Sequence, residues 1–387
     1  MEPSLSVRIF LELERIMKIV YILKKGFQHY PPCLTQVLYL NDLGADLLIY
    51  HGKNSDYIDS LFDSRHIEHY DHCVDRDSEN KFESAVNYYR YIKKINKIIK
   101  QLPEEFFIWF GNCESAIAVR ESNLIGRRYL LSILELYDPG TIYDKGIKRL
   151  IGNCAAVICC EKHRAAIMCA YYKINNLPIY VMPNKPYDGM LDNLAFDIQN
   201  LRTEISEKLY SIKDKYVILY QGIITPDRPL DKIAAALNIL NDTNIVFVVL
   251  GRATDEIQRT IKQYYQNVIF LGYVPSPQHL LITQNADIGI ANYDYSSLNN
   301  IFCAPNKIYE YARFGIPMLV SENIGLTETV GACGAAECVN FLSINDIANG
   351  LNKIINNYQM YSYNAKIFYN ITNNKQTIES ILHNIIY

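Results

Sequence analysis

The chain has 387 residues, a length that favours two domains over one hydrophobic core. It is 49% hydrophobic and 20% charged with a formal net charge of −3, which indicates a globular protein and argues against nucleic acid as its main partner. Its ten cysteines include no Cys-x-x-Cys pair, so we interpret them as reduced, packed thiols.

The first 16 residues, MEPSLSVRIFLELERI, form an amphipathic N-terminal extension that carries acidic residues, unlike a signal peptide. Met17 directly precedes the first strand pattern, so the protein can start at Met1 or at Met17. No apolar run approaches the length that spans a bilayer. The sequence therefore predicts a cytoplasmic protein.

In the first half of the chain, short apolar runs alternate with amphipathic stretches, a pattern typical of parallel strands covered by helices on both faces. One helical pattern spans residues 81–102. The predicted strands are 18–23, 45–50, 106–111, 128–134, 155–160 and 179–182.

The pattern breaks at 182–186, MPNKP, and a polar stretch follows. It resumes with predicted strands at 216–221, 245–250, 268–271, 287–291 and 317–321, and with helices at 229–240, 254–265, 277–284 and 306–314. We predict two Rossmann-like, doubly wound α/β domains that face a central cleft, where the carboxyl ends of the strands bind ligands. The predicted segments are domains at 17–190 and 216–365, a linker at 191–215, and a C-terminal helical segment at 366–387 that can pack back on the first domain.

Candidate ligand-binding residues follow the first strand of the second domain. In YQGIITPDRP, Gly222 lets a ligand approach the backbone, the helix start offers free amides, and Arg228 supplies a fixed bidentate donor. These features suit an anion such as a phosphate. The alternative is an arginine that pairs with a nearby acid.

The next two strands also end in glycine, followed by Arg252 in one case and by Tyr273 and Val274 in the other. Further along, PNKIYEYARFGIP begins a helix at Pro305 and ends it at Gly-x-Pro. The amides of Asn306 and Lys307 are then available to an anionic group, and Glu310 can accept two hydrogen bonds from a ribose diol. Together these residues describe a site for a nucleotide diphosphate.

The second domain resembles the group 1 (GT4-like) glycosyltransferases of GT-B fold. The resemblance rests on YQG, Arg228, VVLGR, VIFLGYV, ADIGIA and PNKIYEYARFGIP, and more weakly in the first half on FQHYPP, ILELYD, AAVICCEKHRAAI and VMPNKP. It implies that Glu310 holds the nucleotide ribose and that Arg228 contacts the donor diphosphate.

The resemblance also implies that Tyr273 and Val274 lie beside the base, and that Asn306 and Lys307 meet the diphosphate. Two positions depart from the family pattern. Many members have a sugar-contacting glutamate where this chain has Phe302, and many have a second basic residue where it has Ile223.

By this resemblance the chain is a glycosyltransferase that moves a sugar from a nucleotide diphosphate donor, UDP- or GDP-linked, to a glycan or lipid-linked acceptor. The expected transfer retains anomeric configuration, serves polysaccharide or glycoconjugate biosynthesis, and needs no further cofactor. The alternatives are a noncatalytic partner subunit of an active transferase and a nucleotide-sugar epimerase of the same fold.

A catalytic base, if one exists, should come from a strand end of the first domain. Glu135 follows the strand 128–134, at a place where relatives often have a histidine, and His29 lies in the loop after the first strand. The alternative for both is a structural hydrogen bond.

Two further patterns have alternative interpretations. A basic amphipathic helix can contact an anionic membrane, or can pack its apolar side on the sheet with its cations in water; its cations are Arg90, Lys93, Lys94, Lys97 and Lys100. The run His66-x-x-His69-x-x-His72-Cys73 can bracket zinc, but its loop-like, acidic surroundings favour no metal. We therefore predict no metal site.

Overall fold

Two parallel β-sheets, one in each of two compact units, form the framework of the protein in a computed structural model. The structure describes residues 18–74, 81–191, 201–225 and 228–386. The predicted N-terminal extension and the alternative start at Met17 lie outside the described residues. The first unit comprises the chain up to Met182 together with Asn374 onward, and the second unit comprises Pro183–Asn373.

The sheet of the first unit has seven parallel strands in the order β3-β2-β1-β4-β5-β6-β7. Its central strands are buried on both faces, which explains their continuous apolar sequences. The elements are β1 Lys18–Ile22, α1 Pro31–Asp42, β2 Asp46–His51, α2 Asp56–Ser64, β3 Glu68–Asp71, α3 Lys81–Gln101, β4 Phe107–Phe110, α4 Cys113–Ile117, β5 Tyr129–Ile133, α5 Ile142–Leu150, β6 Ala156–Cys159, α6 Lys162–Tyr172 and β7 Ile179–Val181.

The sheet of the second unit has six parallel strands in the order β10-β9-β8-β11-β12-β13. Its elements are α7 Thr203–Tyr210, β8 Tyr216–Gln221, α8 Leu230–Leu240, β9 Ile245–Leu250, α9 Asp255–Tyr264, β10 Val268–Gly272, α10 Leu280–Thr283, β11 Ile288–Ala291, α11 Leu298–Ile301, α12 Asn306–Arg313, β12 Met318–Ser321, α13 Ile324–Leu326, β13 Ala336–Val339, α14 Ile344–Asn356 and α15 Tyr358–Ile371. The chain then returns to the first unit, where α16 Asn374–Ile386 packs against α1 and β7.

The prediction of two Rossmann-like domains with parallel sheets is confirmed. Each predicted strand is present, within two residues at its ends. Strands β3 and β13 were not predicted, because they are short edge strands in which polar residues interrupt the apolar pattern.

The segments that join the two sheets differ in detail from the predicted linker at 191–215 and C-terminal segment at 366–387. Within 191–215, helix α7 places Ile205 and Leu209 in the core of the second unit. Residues as early as Asn184 are bonded to that unit, since the Asn184 side-chain amide donates to the carbonyl of Ala304 over 2.7 Å. At the other end, α15 packs in the second unit, and the return to the first begins at Asn374. Polar composition predicted a linker at 191–215, of which residues 192–200 lie outside the described residues; in the described part a few well-spaced apolar residues suffice to anchor a short helix.

Candidate functional site

The carboxyl ends of β8, β9 and β10 bring three glycines together. Gly222 donates its amide to the carbonyl of Leu250 over 2.9 Å, and Gly251 donates to that of Gly272 over 3.0 Å. Gly222 has φ +126°, and a Cβ at Gly251 would lie 2.2 Å from the carbonyl oxygen of Gly222. Only glycine fits such an approach. The backbone here is therefore bare, and a ligand can come close to it.

The side chain of Lys307 reaches this bare backbone from the first turn of α12. A Cβ built on Gly222 would lie 3.3 Å from its ammonium, which also sits 4.5 Å from the centroid of the Tyr220 ring. Lys307 is buried, and its ammonium has no hydrogen-bond acceptor among the described residues. Burial, helped by the positive charge of Arg228, lowers the pKa of Lys307 to about 7. A buried cation without an acceptor is costly and points to an anionic ligand.

Arg228 supplies the second positive charge of the site. Its guanidinium lies 4.7 Å from the centroid of the Tyr293 ring, and the Lys307 ammonium lies 5.6 Å from the same centroid. Nη1 of Arg228 also donates to the carbonyl of Ile223 over 3.0 Å, which ties the side chain to the loop after β8. Two cations beside one aromatic ring concentrate positive charge, an arrangement that favours an anion.

Glu310 lies one turn further along α12 and is also buried. Its Oε1 is 3.2 Å from Nε2 of His279, and its Oε2 accepts a 2.5 Å hydrogen bond from the side-chain amide of Gln221. Thr283 donates to the other end of the same amide over 2.7 Å, so the orientation of Gln221 is fixed. Each carboxylate oxygen has a second lone pair, so the carboxylate retains capacity to accept two hydroxyl groups.

The start of α12 is held in place from outside the helix. Pro305 is its N-cap residue and provides no side-chain cap, so the first amides of the helix, among them those of Asn306 and Lys307, have no acceptor within the helix. The bond from Asn184 to the carbonyl of Ala304 fixes the preceding residue. The helix start therefore adds partial positive charge beside Lys307.

The remaining predicted donor-site residues lie at the ends of the next two strands. The exposed guanidinium of Arg252 is 5.2 Å from the centroid of the half-exposed Tyr273 ring, whereas Val274 is buried. The backbone carbonyl of Tyr273 accepts from Nη2 of Arg202 over 3.1 Å, so in this structure it already has a donor.

Sequence reasoning missed several residues of this site. Gln221 is a polar residue at the end of an apolar strand, a signal that could have found it. His279 and Tyr293 carried no such signal, because only the fold brings their loops to α12. Asn292, fully buried after β11, has a side-chain amide without a hydrogen-bond partner among the described residues.

The two departures from the family pattern leave apolar groups near this site. Ile223 is 69% exposed in the loop after β8, and Phe302 is partly buried directly after α11. Neither position offers a charged group to a ligand.

In the first unit, the predicted residues Glu135 and His29 are both exposed. Glu135 lies two residues after β5, and His29 lies in the single turn Phe27–His29 after β1. A carboxylate that the sequence analysis missed lies beside Tyr30: Glu114 forms a 2.7 Å ion pair with Lys24 and accepts from the Tyr30 hydroxyl over 3.4 Å. Burial, with Glu114 and Glu135 among the contributing charges, raises the pKa of Tyr30, so its hydroxyl stays protonated.

Aromatic rings lie near these carboxylates. Tyr137 and Tyr143 stack with their centroids 4.6 Å apart, and Lys24 lies 5.4 Å from the centroid of the Tyr88 ring. Aromatic faces beside carboxylates and hydroxyls can bind a hydroxyl-rich molecule.

The basic helix predicted at 81–102 packs as α3. Its five cations, Arg90, Lys93, Lys94, Lys97 and Lys100, are all exposed, while Tyr91, Ile95 and Ile99 are buried. The apolar side formed by these three residues is therefore occupied by the core, and the exposed surface of the helix carries the five cations together with Phe82 and Tyr89. Among the described helices, none combines the length and hydrophobicity that a membrane span requires.

Part of the second unit matches a known protein family. Residues 202–369 match the model of the family described as glycosyl transferases group 1. No curated protein matches the chain by sequence.

Solved structures with a similar fold cover almost the whole chain. A glycosyltransferase from Rickettsia africae is 14% identical with a TM-score of 0.66, covering 96% of this chain and 98% of its own. HepE from Anabaena, solved with UDP and glucose, is 12% identical with a TM-score of 0.66, covering 95% and 99%. A putative UDP-N-acetylglucosamine 2-epimerase from Listeria monocytogenes is 11% identical with a TM-score of 0.59, covering 95% and 94%. At such identities the likeness shows the GT-B fold and does not separate transfer from epimerisation.

Proposed function

We propose that this protein is a glycosyltransferase that takes its sugar from a nucleotide diphosphate donor bound in the second unit, where residues 202–369 match the model of the group 1 glycosyl transferases. The observation that carries the proposal is the buried ammonium of Lys307. It stands beside bare backbone at Gly222, shares the Tyr293 ring with Arg228, and has no acceptor among the described residues.

The proposed donor position follows from this geometry. The diphosphate lies over the Gly222 backbone, between Arg228 and the start of α12, and the ribose diol binds Glu310. The base lies toward Tyr273 and Val274. A uridine nucleotide is the first to test because HepE binds UDP, and a guanosine nucleotide is the second.

Sugar transfer requires stabilisation of the departing diphosphate. Lys307, Arg228 and the first amides of α12 are fixed before the reaction, so they can lower the energy of the developing negative charge without reorganising. We propose that the transfer retains anomeric configuration, with the leaving phosphate taking the acceptor proton. No protein base is then required, and His29 and Glu135 are assigned to acceptor positioning.

The acceptor is proposed to be a glycan or a lipid-linked saccharide bound at the strand ends of the first unit. The support is the group of Glu114, Tyr30 and Glu135 with the neighbouring stacked tyrosines. We place the reaction in polysaccharide or glycoconjugate biosynthesis in the cytoplasm. The exposed cations of α3 would bring the protein to an anionic membrane surface.

The first experiment is a calorimetric titration with UDP, GDP, ADP and dTDP, with an Arg228→Ala variant in parallel. We expect saturable binding of one nucleotide, weakened about tenfold in the variant because a guanidinium–phosphate contact is lost. Arg259→Ala, which removes an exposed arginine from α9, is the matched control and should bind as the unaltered protein does. Equal affinity in all three proteins would remove Arg228 from the donor site, and no binding of any nucleotide would refute the donor site itself.

Incubation with the matching nucleotide sugars then separates the candidate activities. A transferase releases the nucleotide diphosphate faster when acceptor is present, and an epimerase converts the sugar without any acceptor. A noncatalytic subunit does neither alone and regains activity only with a partner.

A further inference from the structure

Two histidines and an aspartate converge in the first unit, at the edge of the sheet formed by β2 and β3. In the register of these strands His69 pairs with Ile49, so His69 and His51 lie on the same face, and Asp59 approaches them from α2. One ligand atom from each of His51, Asp59 and His69 lies within 4.8 Å of the other two. None of these three residues belongs to the proposed nucleotide site.

In each imidazole ring one nitrogen, the inner one, faces the other histidine, and the outer one points away from it. The hydrogen-bond partner of the outer nitrogen determines which of the two carries the proton. Nδ1 of His51 is 2.6 Å from the carbonyl oxygen of Gly52, and Nε2 of His69 is 3.3 Å from a carboxylate oxygen of Asp63. A carbonyl and a carboxylate can only accept, so both of these ring nitrogens donate. In neutral imidazoles the two inner nitrogens, Nε2 of His51 and Nδ1 of His69, then both carry lone pairs.

These two inner nitrogens are only 2.9 Å apart. The carboxylate Oδ1 of Asp59 lies 3.8 Å from Nδ1 of His69, which adds a third electron-rich atom to the same space. A single shared proton would satisfy the two nitrogens and leave the Asn54 amide, 2.9 Å away, as the donor to the carboxylate. A divalent cation would bind all three electron-rich atoms at once.

The surroundings hold the three groups in this orientation. Asn54 accepts from the amide of Phe27 through Oδ1 over 2.9 Å, which places its amide nitrogen 2.9 Å from Oδ1 of Asp59 and 3.4 Å from Nε2 of His51. The buried ring of Phe62 packs edge-on against both imidazoles. Outer partners such as Gly52 and Asp63 are what metal-binding histidines require, because they fix ring orientation and raise the basicity of the inner nitrogen.

We propose that His51 Nε2, His69 Nδ1 and the Asp59 carboxylate bind a divalent transition metal of the zinc class, with a fourth position for water. Two imidazoles and a carboxylate form a donor set that suits zinc. Tetrahedral bonds of about 2.0 to 2.1 Å place neighbouring ligand atoms about 3.3 Å apart. The observed separations of 2.9 and 3.8 Å reach that value with small side-chain rotations.

The proposed ion joins the end of strand β2, helix α2 and the middle of strand β3. Through Asn54 it also steadies the loop after β1, where His29 lies. Its role is therefore structural and confined to the first unit, and it is independent of nucleotide binding. The zinc pattern considered from sequence is different, since His72 donates to the carbonyl of Lys24 over 2.7 Å and His66 is exposed.

The test is a titration of chelator-stripped protein with Zn²⁺, followed by calorimetry, and with Co²⁺, followed by visible absorption. We expect one ion per chain, a rise in the unfolding temperature, and a cobalt spectrum without thiolate charge transfer. Asp59→Asn and His69→Gln should weaken binding at least about 100-fold, and Asp63→Asn about 10- to 100-fold through the orientation of His69.

His66→Asn is the matched control, because it removes a neighbouring exposed histidine whose φ of +55° asparagine tolerates. Binding should be unchanged in this variant. Absence of stoichiometric binding, or binding that survives both Asp59→Asn and His69→Gln, would overturn the proposal. A cobalt–thiolate band would also overturn it, since the ion would then be bound by cysteines. Asp59→Asn is isosteric at a partly exposed position, so its folding can be verified by circular dichroism before titration.

Discussion

Replacement of Lys307 by methionine should abolish donor binding and at the same time stabilise the second unit. Methionine keeps the volume and burial of the side chain but removes the ammonium. If the diphosphate is the missing partner of that ammonium, its loss should weaken nucleotide binding by about 3 to 5 kcal/mol, as when one member of a buried charge pair is removed. This corresponds to a loss of affinity of more than 100-fold.

The gain in stability follows from the pKa of Lys307. Burial lowers this pKa from its ordinary value of 10.5 to about 7 in the folded protein. Between these values the unfolded chain binds more protons than the folded one, so the free energy of unfolding of the unaltered protein rises with pH. The penalty from burying the lysine is greatest at and below pH 7 and disappears above about pH 10.5. Each tenfold change in proton affinity corresponds to about 1.4 kcal/mol, so the penalty from burying Lys307 amounts to several kcal/mol.

Urea unfolding at several pH values measures this effect. Lys307→Met should be the more stable protein at pH 7, and the difference should shrink as the pH rises. Lys353→Met is the matched control, because Lys353 is an exposed lysine of the same unit paired with Glu337. A methionine variant that binds nucleotide normally, or that shows no gain in stability near neutral pH, would contradict this account of Lys307.

The same lysine makes donor binding depend on pH. An anion beside the ammonium raises its pKa, so binding above pH 7 should take up a proton, and affinity should fall as the pH rises. A nucleotide sugar is the suitable ligand because its diester phosphates do not titrate in this range. Calorimetry in two buffers of different ionisation enthalpy detects the proton, which Lys307→Met should not take up.

Replacement of Glu310 by glutamine should weaken nucleotide binding by about 1 to 3 kcal/mol without unfolding the protein. Glutamine preserves the shape of the side chain, but it presents one acceptor oxygen in place of two and loses the charge that strengthens hydrogen bonds from the ribose hydroxyls. It also exchanges the carboxylate that faces His279 and Gln221 for a neutral amide.

The ribose contact is isolated by comparing ribose and 2′-deoxyribose nucleotides in both proteins. The unaltered protein should prefer the ribose form, and Glu310→Gln should lose most of that preference. Glu337→Gln, which alters a carboxylate bonded to Lys353 and Tyr361, should leave the preference intact. An equal preference before and after the Glu310 change would remove Glu310 from the ribose site.

The motifs of the second unit could be interpreted from sequence because its chemistry is carried by local patterns. The glycines at the ends of β8, β9 and β10 and the run PNKIYEYARFGIP predicted a ligand site and showed a resemblance to group 1 glycosyltransferases. The family match over 202–369 confirms the resemblance, and the ligand site stays a prediction. The alternation of apolar runs with amphipathic stretches also predicted the parallel sheets, because a strand buried on both faces requires a continuous apolar run.

Only the tertiary structure decided which side chains meet. The Tyr293 ring is contacted by Lys307 from α12 and by Arg228 from a loop distant in sequence. The two cations meet there because of the order of the strands in the sheet. His51 and His69 are 18 residues apart, yet their ring nitrogens meet because β2 and β3 pair in parallel at one register. A sequence determines local conformation through neighbours along the chain, whereas a site of this kind is determined by neighbours in space, and strand order and register exist only in the folded protein.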